Sequence, residues 1–544
     1  MKRTVLSRTT IVLAVFIIVI SLAYYGAYYN KLAFPVKDYG CLLSGGARVV
    51  EGQLPYIDFF SYYSPGRYLL LGGWFKIFDI SVECCQLFFV LLLTISNLLL
   101  FLVACKFLPK ILALIPTIIH LIMPGPWWKV WFILSVLVGL LLILGYMDKP
   151  GKLRAFIVGF GCGIMMWIRQ DTGCYLLLTL AILFVITYLR KNPLRNFIYC
   201  IFGGIASGST FVIYYMLAGK SFFAFLKETL WTVYITRQAG ADLVKLWVFP
   251  NTLFGIAGIL FMLIFAFIIY KKRKDTVVFT SLCALLLVAG FCFLHMQFGN
   301  FKYYRFPQDE ALMYIISIFV GMHMYRFTVN KVNKIPARVG SFLILVFIIF
   351  GFLYYSYFTI FATSRSGHFA YTGVLPYFKK NWQKLKVKRM GNAMMEKKKH
   401  LMFKDAIEAV DSVAGPNEDV FYGSNAFLAF LSGHPTPAKE DVVYFLFADK
   451  RVMQDFLKRV EEKPPKVIVL AKRDSRIAGR NPEENIIPFL EFVKNNYNFF
   501  KKTGRYYIFI KAEYSNRAET EKKLKTLFSK SVKEAKNYRE ETYL

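Results

Sequence analysis

Long apolar runs alternate with short polar breaks along most of the 544 residues, and the runs have the length that crosses a bilayer. They predict eleven spans, at about 10–29, 86–107, 110–124, 130–147, 154–168, 173–189, 196–217, 250–270, 276–298, 311–327 and 340–361. Met1 to Asn30 has the outline of a signal peptide. Its apolar stretch is long, however, and no small-x-small cleavage site precedes the aromatic run, so a retained first span is expected. Between the first two spans, residues 30–68 form a long polar loop, and 69–85 predict an interfacial helix with Trp74. A second interval, 218–249, carries SFFAFLKETLWTVYI, an aromatic amphipathic run suited to the headgroup layer. A third is the short FGNFKYYRFPQDE.

The pattern changes after residue 361. A basic stretch at 377–412 predicts a helical linker. Short strands then alternate with helices: DVFYG at 419–423, a helix at about 448–461, KVIVL at 466–470, a helix near 486–496, and RYYIFIK at 505–511. That alternation is the α/β signature. The expected architecture is a polytopic α-helical membrane protein, residues 1–361, with its site in the outer loop 30–85, followed by a soluble α/β domain at 362–544.

Charge refines the topology. The formal net charge of +33 would suggest nucleic acid, yet no helix-turn-helix, zinc-finger or RNA-binding signature accompanies it. With the N-terminus inside, strict alternation puts nineteen Lys and Arg in six short inner segments, as the positive-inside rule expects. Of twelve Asp and Glu in residues 1–361, only Asp148 and Asp275 then fall inside. Acids contribute little to topology, so their outward bias points to a functional outer surface. The nine cysteines all precede residue 362, form no CxxC pair and suit plain burial.

The outer segments hold the candidate chemistry. Asp38, just beyond the first span, suits a general base that takes a proton from an attacking hydroxyl, and equally suits a helix N-cap. Asp58 lies in PYIDFFSYYSPG, stiffened by Pro55 and Pro65, with Tyr56, Tyr62 and Tyr63 as rings and hydroxyls for a sugar. An aromatic belt with Asp58 closing a turn is the plainer alternative. Arg169 and Asp171, in WIRQDTG, either pair with each other or leave Arg169 to grip a phosphate. Lys302 and Arg305 stand among rings beside a span, where they suit a lipid phosphate or simple snorkelling. No Walker loop, dinucleotide fingerprint or HExxH is present, and the six histidines show no metal-ligand spacing.

One span, an acid-bearing outer segment with SGGARVVEGQLPYIDFFSYYSPG, many further spans, RQDTG at the outer edge and a soluble α/β tail: this layout resembles the GT-C superfamily. Within it, the chain is similar to the protein-mannosyltransferase and lipid A aminoarabinose-transferase-like group, most clearly over 38–74 and 167–173. The resemblance implies inverting transfer of a sugar from a polyprenyl-phosphate donor on the outer face, with Asp38 as base. Members often carry Asp-Glu at that place. Here Tyr39 follows Asp38, so Asp58 would supply the second carboxylate, and Lys302 and Arg305 fall where relatives keep basic residues near the donor phosphate.

The expected partners are the lipid-linked donor, membrane lipids and a lipid, glycan or protein acceptor, with no nucleic acid. No cofactor is implied, and a divalent metal is left open. The bacterial inner membrane is the expected location, with 30–85 and the C-terminal domain extracytoplasmic. Two other classes compete: a lipid-linked sugar carrier or flippase, and a non-catalytic envelope-assembly protein.

Overall fold

A computed structural model describes residues 7–32, 36–60, 64–125, 127–190, 196–221, 223, 226–231, 262–271, 274–298, 311–331, 381–423, 425–439, 450–471, 482–512 and 518–527. The chain divides into two compact units. One, the bundle unit, takes in the described residues of Met1–Tyr28, Phe89–Leu217 and Val244–Lys379; the other, the sheet unit, those of Tyr29–Phe88, Ala218–Leu243 and Lys380–Leu544.

Among the described residues up to 331, the helices include, in chain order, α1 (Arg8–Gly26), α2 (Val36–Val50), α3 (Gly66–Ile77), α4 (Val82–Phe107), α5 (Lys110–Ile122), α6 (Val130–Asp148), α7 (Lys152–Ile168), α8 (Gln170–Leu189), α9 (Phe197–Leu217), α10 (Met262–Lys271), α11 (Thr276–Phe298) and α12 (Ala311–Lys331). Six described helices are long and apolar enough to cross a membrane: Arg8–Gly26, Val82–Phe107, Trp127–Asp148, Gln170–Leu189, Phe197–Leu217 and Thr276–Phe293. The protein is therefore an integral membrane protein. Nine of the expected spans match described helices to within a few residues, and of a tenth, 250–270, only 262–270 is described. The span at 340–361 lies outside the described residues.

Inside the bundle unit, like ends meet as alternation requires. Lys106 at the end of α4 pairs with Asp148 at the end of α6 (2.5 Å), and Lys110 at the start of α5 bonds Ser7 before α1. Helices α7 and α9 meet backbone to backbone. A Cβ on Gly159 would stand 1.8 Å from the Cys200 carbonyl oxygen, and one on Gly203 would stand 2.1 Å from that of Phe156. Small residues thus let the two backbones touch, which is how helices associate where lipid offers no hydrophobic drive. Between α1, α4 and α5 lies a buried polar cluster: Asn97 Nδ2 donates to Ser21 Oγ (3.0 Å) and Tyr25 Oη (3.2 Å), and Asn97 Oδ1 meets His120 Nδ1 at 2.7 Å.

The sheet unit is built on strands β3 (Val420–Tyr422), β4 (Val467–Ala471), β5 (Tyr497–Thr503) and β6 (Tyr506–Lys511), in spatial order β3-β4-β6-β5. β3 and β4 run parallel; β4–β6 and β6–β5 are antiparallel. Helices Lys450–Glu462 and Pro482–Asn496 cover it through Phe456, Phe489 and Val493. The expected strands and helices are present, and β5 is additional. Its solvent-side Lys501 and Lys502 hid it, although lysines are a usual guard on an edge strand.

The expected helical linker at 377–412 is corrected. Among its described residues, β1 (Trp382–Lys384) pairs antiparallel with β2 (Met394–Glu396), and helix begins only at Lys397. Gly391, at φ +64°, turns the chain between the two strands, and Met395 is fully buried.

Candidate functional site

The acid-bearing segment after α1 is more ordered than a loop. Tyr39, Leu42, Leu43 and Ala47 recur at helical spacing and are buried, so 36–50 folds as α2. Gly45 and Gly46 are packing positions: added Cβ atoms would meet the Tyr68 ring at 2.4 Å and Leu71 at 2.9 Å on α3. Gly40 faces helix Ala426–Ser432, where a Cβ would lie 2.2 Å from the Phe427 amide nitrogen. The expected interfacial helix at 69–85 is α3, which stops at Ile77. Trp74 then donates from Nε1 to the Cys84 carbonyl (3.0 Å) and stacks on Phe88.

Residues 53–60 form a closed turn. The Leu54 amide donates to Asp58 Oδ2 (2.8 Å), the Asp58 amide to Leu54 O (2.9 Å), and the Tyr56 amide to Phe59 O (2.9 Å). Tyr56 takes φ +70°, a left-handed conformation that a non-glycine residue adopts only when its surroundings hold it there. Its ring is 6% exposed, and burial pushes its phenol pKa up. Tyr56 is thus part of the turn's own packing rather than an open face for a sugar.

Two buried arginines flank the turn. Arg48 donates from Nε to Gln53 Oε1 (2.6 Å) and from Nη2 to Asp58 O (3.1 Å), and its guanidinium lies 5.0 Å from the Phe59 ring centre. Arg67 donates from Nη2 to Tyr68 Oη (2.8 Å). Buried guanidinium groups make an electropositive surround that suits an anionic ligand. Sequence reasoning passed over both arginines, because their burial comes from tertiary partners that no local pattern shows.

The acids of this segment sort by partner. Glu51 pairs with Arg389 (3.4 Å). Glu83 accepts from Tyr29 Oη (3.3 Å) and from the Asn392 amide (2.8 Å). Both are structural ties. Asp38 is the third residue of α2, inside the helix rather than at a cap position before it. Asp58 closes its turn, yet only Oδ2 is used on the Leu54 amide.

Arg169 and Asp171 belong to the bundle unit, at the α7–α8 junction. The pair forms: Arg169 Nε lies 2.8 Å from Asp171 Oδ1, and Nη2 lies 2.9 Å from Oδ2. Asp171 also caps the Thr172 amide (2.8 Å), and the guanidinium sits 4.5 Å from the Phe132 ring centre. One turn before Phe132 stands Lys129, 6% exposed in the short 3₁₀ turn that opens α6. Sequence reasoning missed Lys129 too. A lone lysine inside PWWKVWF, at the edge of a span, was the available signal.

Tyr62, Tyr63, Lys302 and Arg305 lie outside the described residues. Among the described residues, no group of three or more His, Cys, Asp or Glu is placed to hold a metal ion.

No protein-family model matches the chain, and no curated protein matches it by sequence. Solved structures align with most of its length. The apo oligosaccharyltransferase of Archaeoglobus fulgidus is 12% identical with a TM-score of 0.47, over 92% of this chain and 74% of that one. The Archaeoglobus fulgidus oligosaccharyltransferase AglB, in complex with an inhibitory peptide and a dolichol-phosphate, is 11% identical with a TM-score of 0.47, over 93% and 75%. ArnT from Cupriavidus metallidurans, bound to undecaprenyl phosphate, is 10% identical with a TM-score of 0.45, over 93% and 99%.

Proposed function

We propose that the protein is a membrane glycosyltransferase of the GT-C type that moves a sugar from a polyprenyl-phosphate donor to an acceptor on the outer face. One observation carries the reading. The carboxylate-bearing segment between two membrane helices is folded rather than a loose connector, with Asp58 held in a closed turn beside buried Arg48 and Arg67. The resemblance of 38–74 and 167–173 to that superfamily supplies the reaction class.

In the proposed step, Asp38 takes the proton of the acceptor hydroxyl while the hydroxyl oxygen bonds to the anomeric carbon. The bond from that carbon to the phosphate oxygen breaks, and the polyprenyl phosphate leaves with the electron pair. Attack from the face opposite the leaving group inverts the anomeric centre. Asp58 is the second carboxylate. Tyr62 and Tyr63 are proposed sugar contacts, and Lys302 and Arg305 are proposed phosphate contacts. Arg169 is likewise a proposed phosphate contact, which requires it to give up part of its bond to Asp171. The activated donor supplies the free energy, so no nucleotide motif is required. The proposed setting is a bacterial inner membrane, with 30–85 and 362–544 extracytoplasmic.

The test is transfer of radiolabelled sugar from polyprenyl phosphate by the purified protein in detergent, alongside mass spectrometry of cell-envelope glycans with and without it. A lipid-sugar carrier is the second reading, favoured by the buried His120–Asn97 cluster inside the bundle, since carriers place polar groups within the membrane. Movement of lipid-linked sugar across proteoliposomes without any transfer would select it.

A further inference from the structure

The turn that carries Asp58 does not hold itself in place. Besides Gln53 and the Asp58 carbonyl, Arg48 donates from Nη2 to Ala438 O (3.1 Å) and from Nη1 to Lys439 O (3.5 Å). The Phe60 amide donates to the same Lys439 carbonyl (2.8 Å), so the turn is laid along the 438–439 backbone. That backbone is fixed in turn: the Val420 amide donates to Pro435 O (2.9 Å), and His434 Nε2 meets Asp411 Oδ1 at 3.0 Å. One guanidinium, 6% exposed, therefore joins two stretches of chain almost 400 residues apart in sequence (|i−j| 390). Among the described residues its acceptors include a carboxamide and three backbone carbonyls, disposed in different directions. A planar fork with five donors meets that set, and an ammonium group does not.

We infer that Arg48 is the positioning residue of the transfer site: through the 438–439 backbone it sets where the Asp58 carboxylate stands. The inference rests on the transferase reading for its catalytic consequence, but not for the positioning itself. Arg48 touches the turn, and the turn presents the carboxylate. Small displacements of such groups are costly in rate, because effective proximity depends on placement within about an ångström.

Full-length Arg48→Met and Arg48→Lys in detergent test it by hydrogen exchange of residues 54–60 and 467–471, with kcat and donor KM measured beside it. Loss of a hydrogen bond to a charged group should speed exchange at 54–60 by about 10–100-fold. Exchange in β4 should stay unchanged. The lysine variant should loosen the turn as well, since charge without the fork does not span the acceptors. Turnover should drop at least about tenfold with donor KM nearly unchanged, the signature of misplacement rather than lost binding. Unchanged exchange at 54–60 in both variants would overturn the inference, as would an equal rise at 467–471, which marks general unfolding. A loosened turn with full turnover would overturn it equally. If the unaltered protein transfers no sugar from any lipid donor, the transferase reading fails, and the exchange data alone decide whether Arg48 positions the turn.

Discussion

Asp58 has one oxygen on the Leu54 amide, which lets structure and chemistry be separated by two substitutions. In Asp58→Asn the amide oxygen still accepts that bond, so thermal stability should change by less than about 1 kcal/mol, while sugar transfer falls if the charge is used. Asp58→Ala strands the amide and should cost about 1–3 kcal/mol, read as a lower melting temperature in detergent. Equal melting temperatures for both would show that the turn does not need its acceptor. Asp38 changes in meaning as well. It stands within the first turn of α2, where Asp38→Asn removes a charge–dipole contribution of about 0.3–1 kcal/mol. The turn-closing part of Asp58 and the pairing of Arg169 with Asp171 were legible in sequence, because both act within a few residues. Arg48 was not, since its partners at 438–439 adjoin it only in three dimensions.

Glycines divide the elements that sequence reads well from those it reads badly. Apolar runs located the described spans to within a few residues, because hydropathy over about twenty positions is a long signal. In 36–50 the Gly45-Gly46 pair looked like loop, whereas both residues seat α2 against α3. The same close approach gives a prediction in the bundle. Gly159→Ala brings a methyl group to within 1.8 Å of the Cys200 carbonyl oxygen and should lower the melting temperature in detergent by several degrees. Gly208→Ala, on the same helix pair with nothing within 4 Å of the added carbon, should leave it unchanged or raise it. A comparable loss in both variants would mean that backbone contact is not what holds α7 to α9.

At the scale of the molecule, the described residues of Tyr29–Phe88 fold with those of Lys380–Leu544 as one unit, tied by backbone bonds from Leu32 to Met394 (2.7 Å), Val82 to Arg389 (2.9 Å) and Phe60 to Lys439 (2.8 Å). Removing 385–544 should therefore leave residues 36–60 open to protease in the membrane-bound remainder, and continued protection would contradict the shared fold. Shared folding predicts that both stretches lie on one side of the membrane. Cysteine labelling from that side should reach the C-terminal region and not residue 274, and labelling of both would sink the alternation read from the basic residues. Sequence could not show this joining, because a long bundle separates the two stretches in the chain. The most direct measurement of the central claim is turnover of a radiolabelled polyprenyl-phosphate sugar by purified full-length protein and its Asp38→Asn variant, with melting temperature recorded for each. The account predicts transfer by the unaltered protein and a loss of about 10²–10⁴-fold in a variant that melts normally, the range expected for a missing general base. A stable Asp38→Asn protein that transfers sugar at the full rate would contradict it.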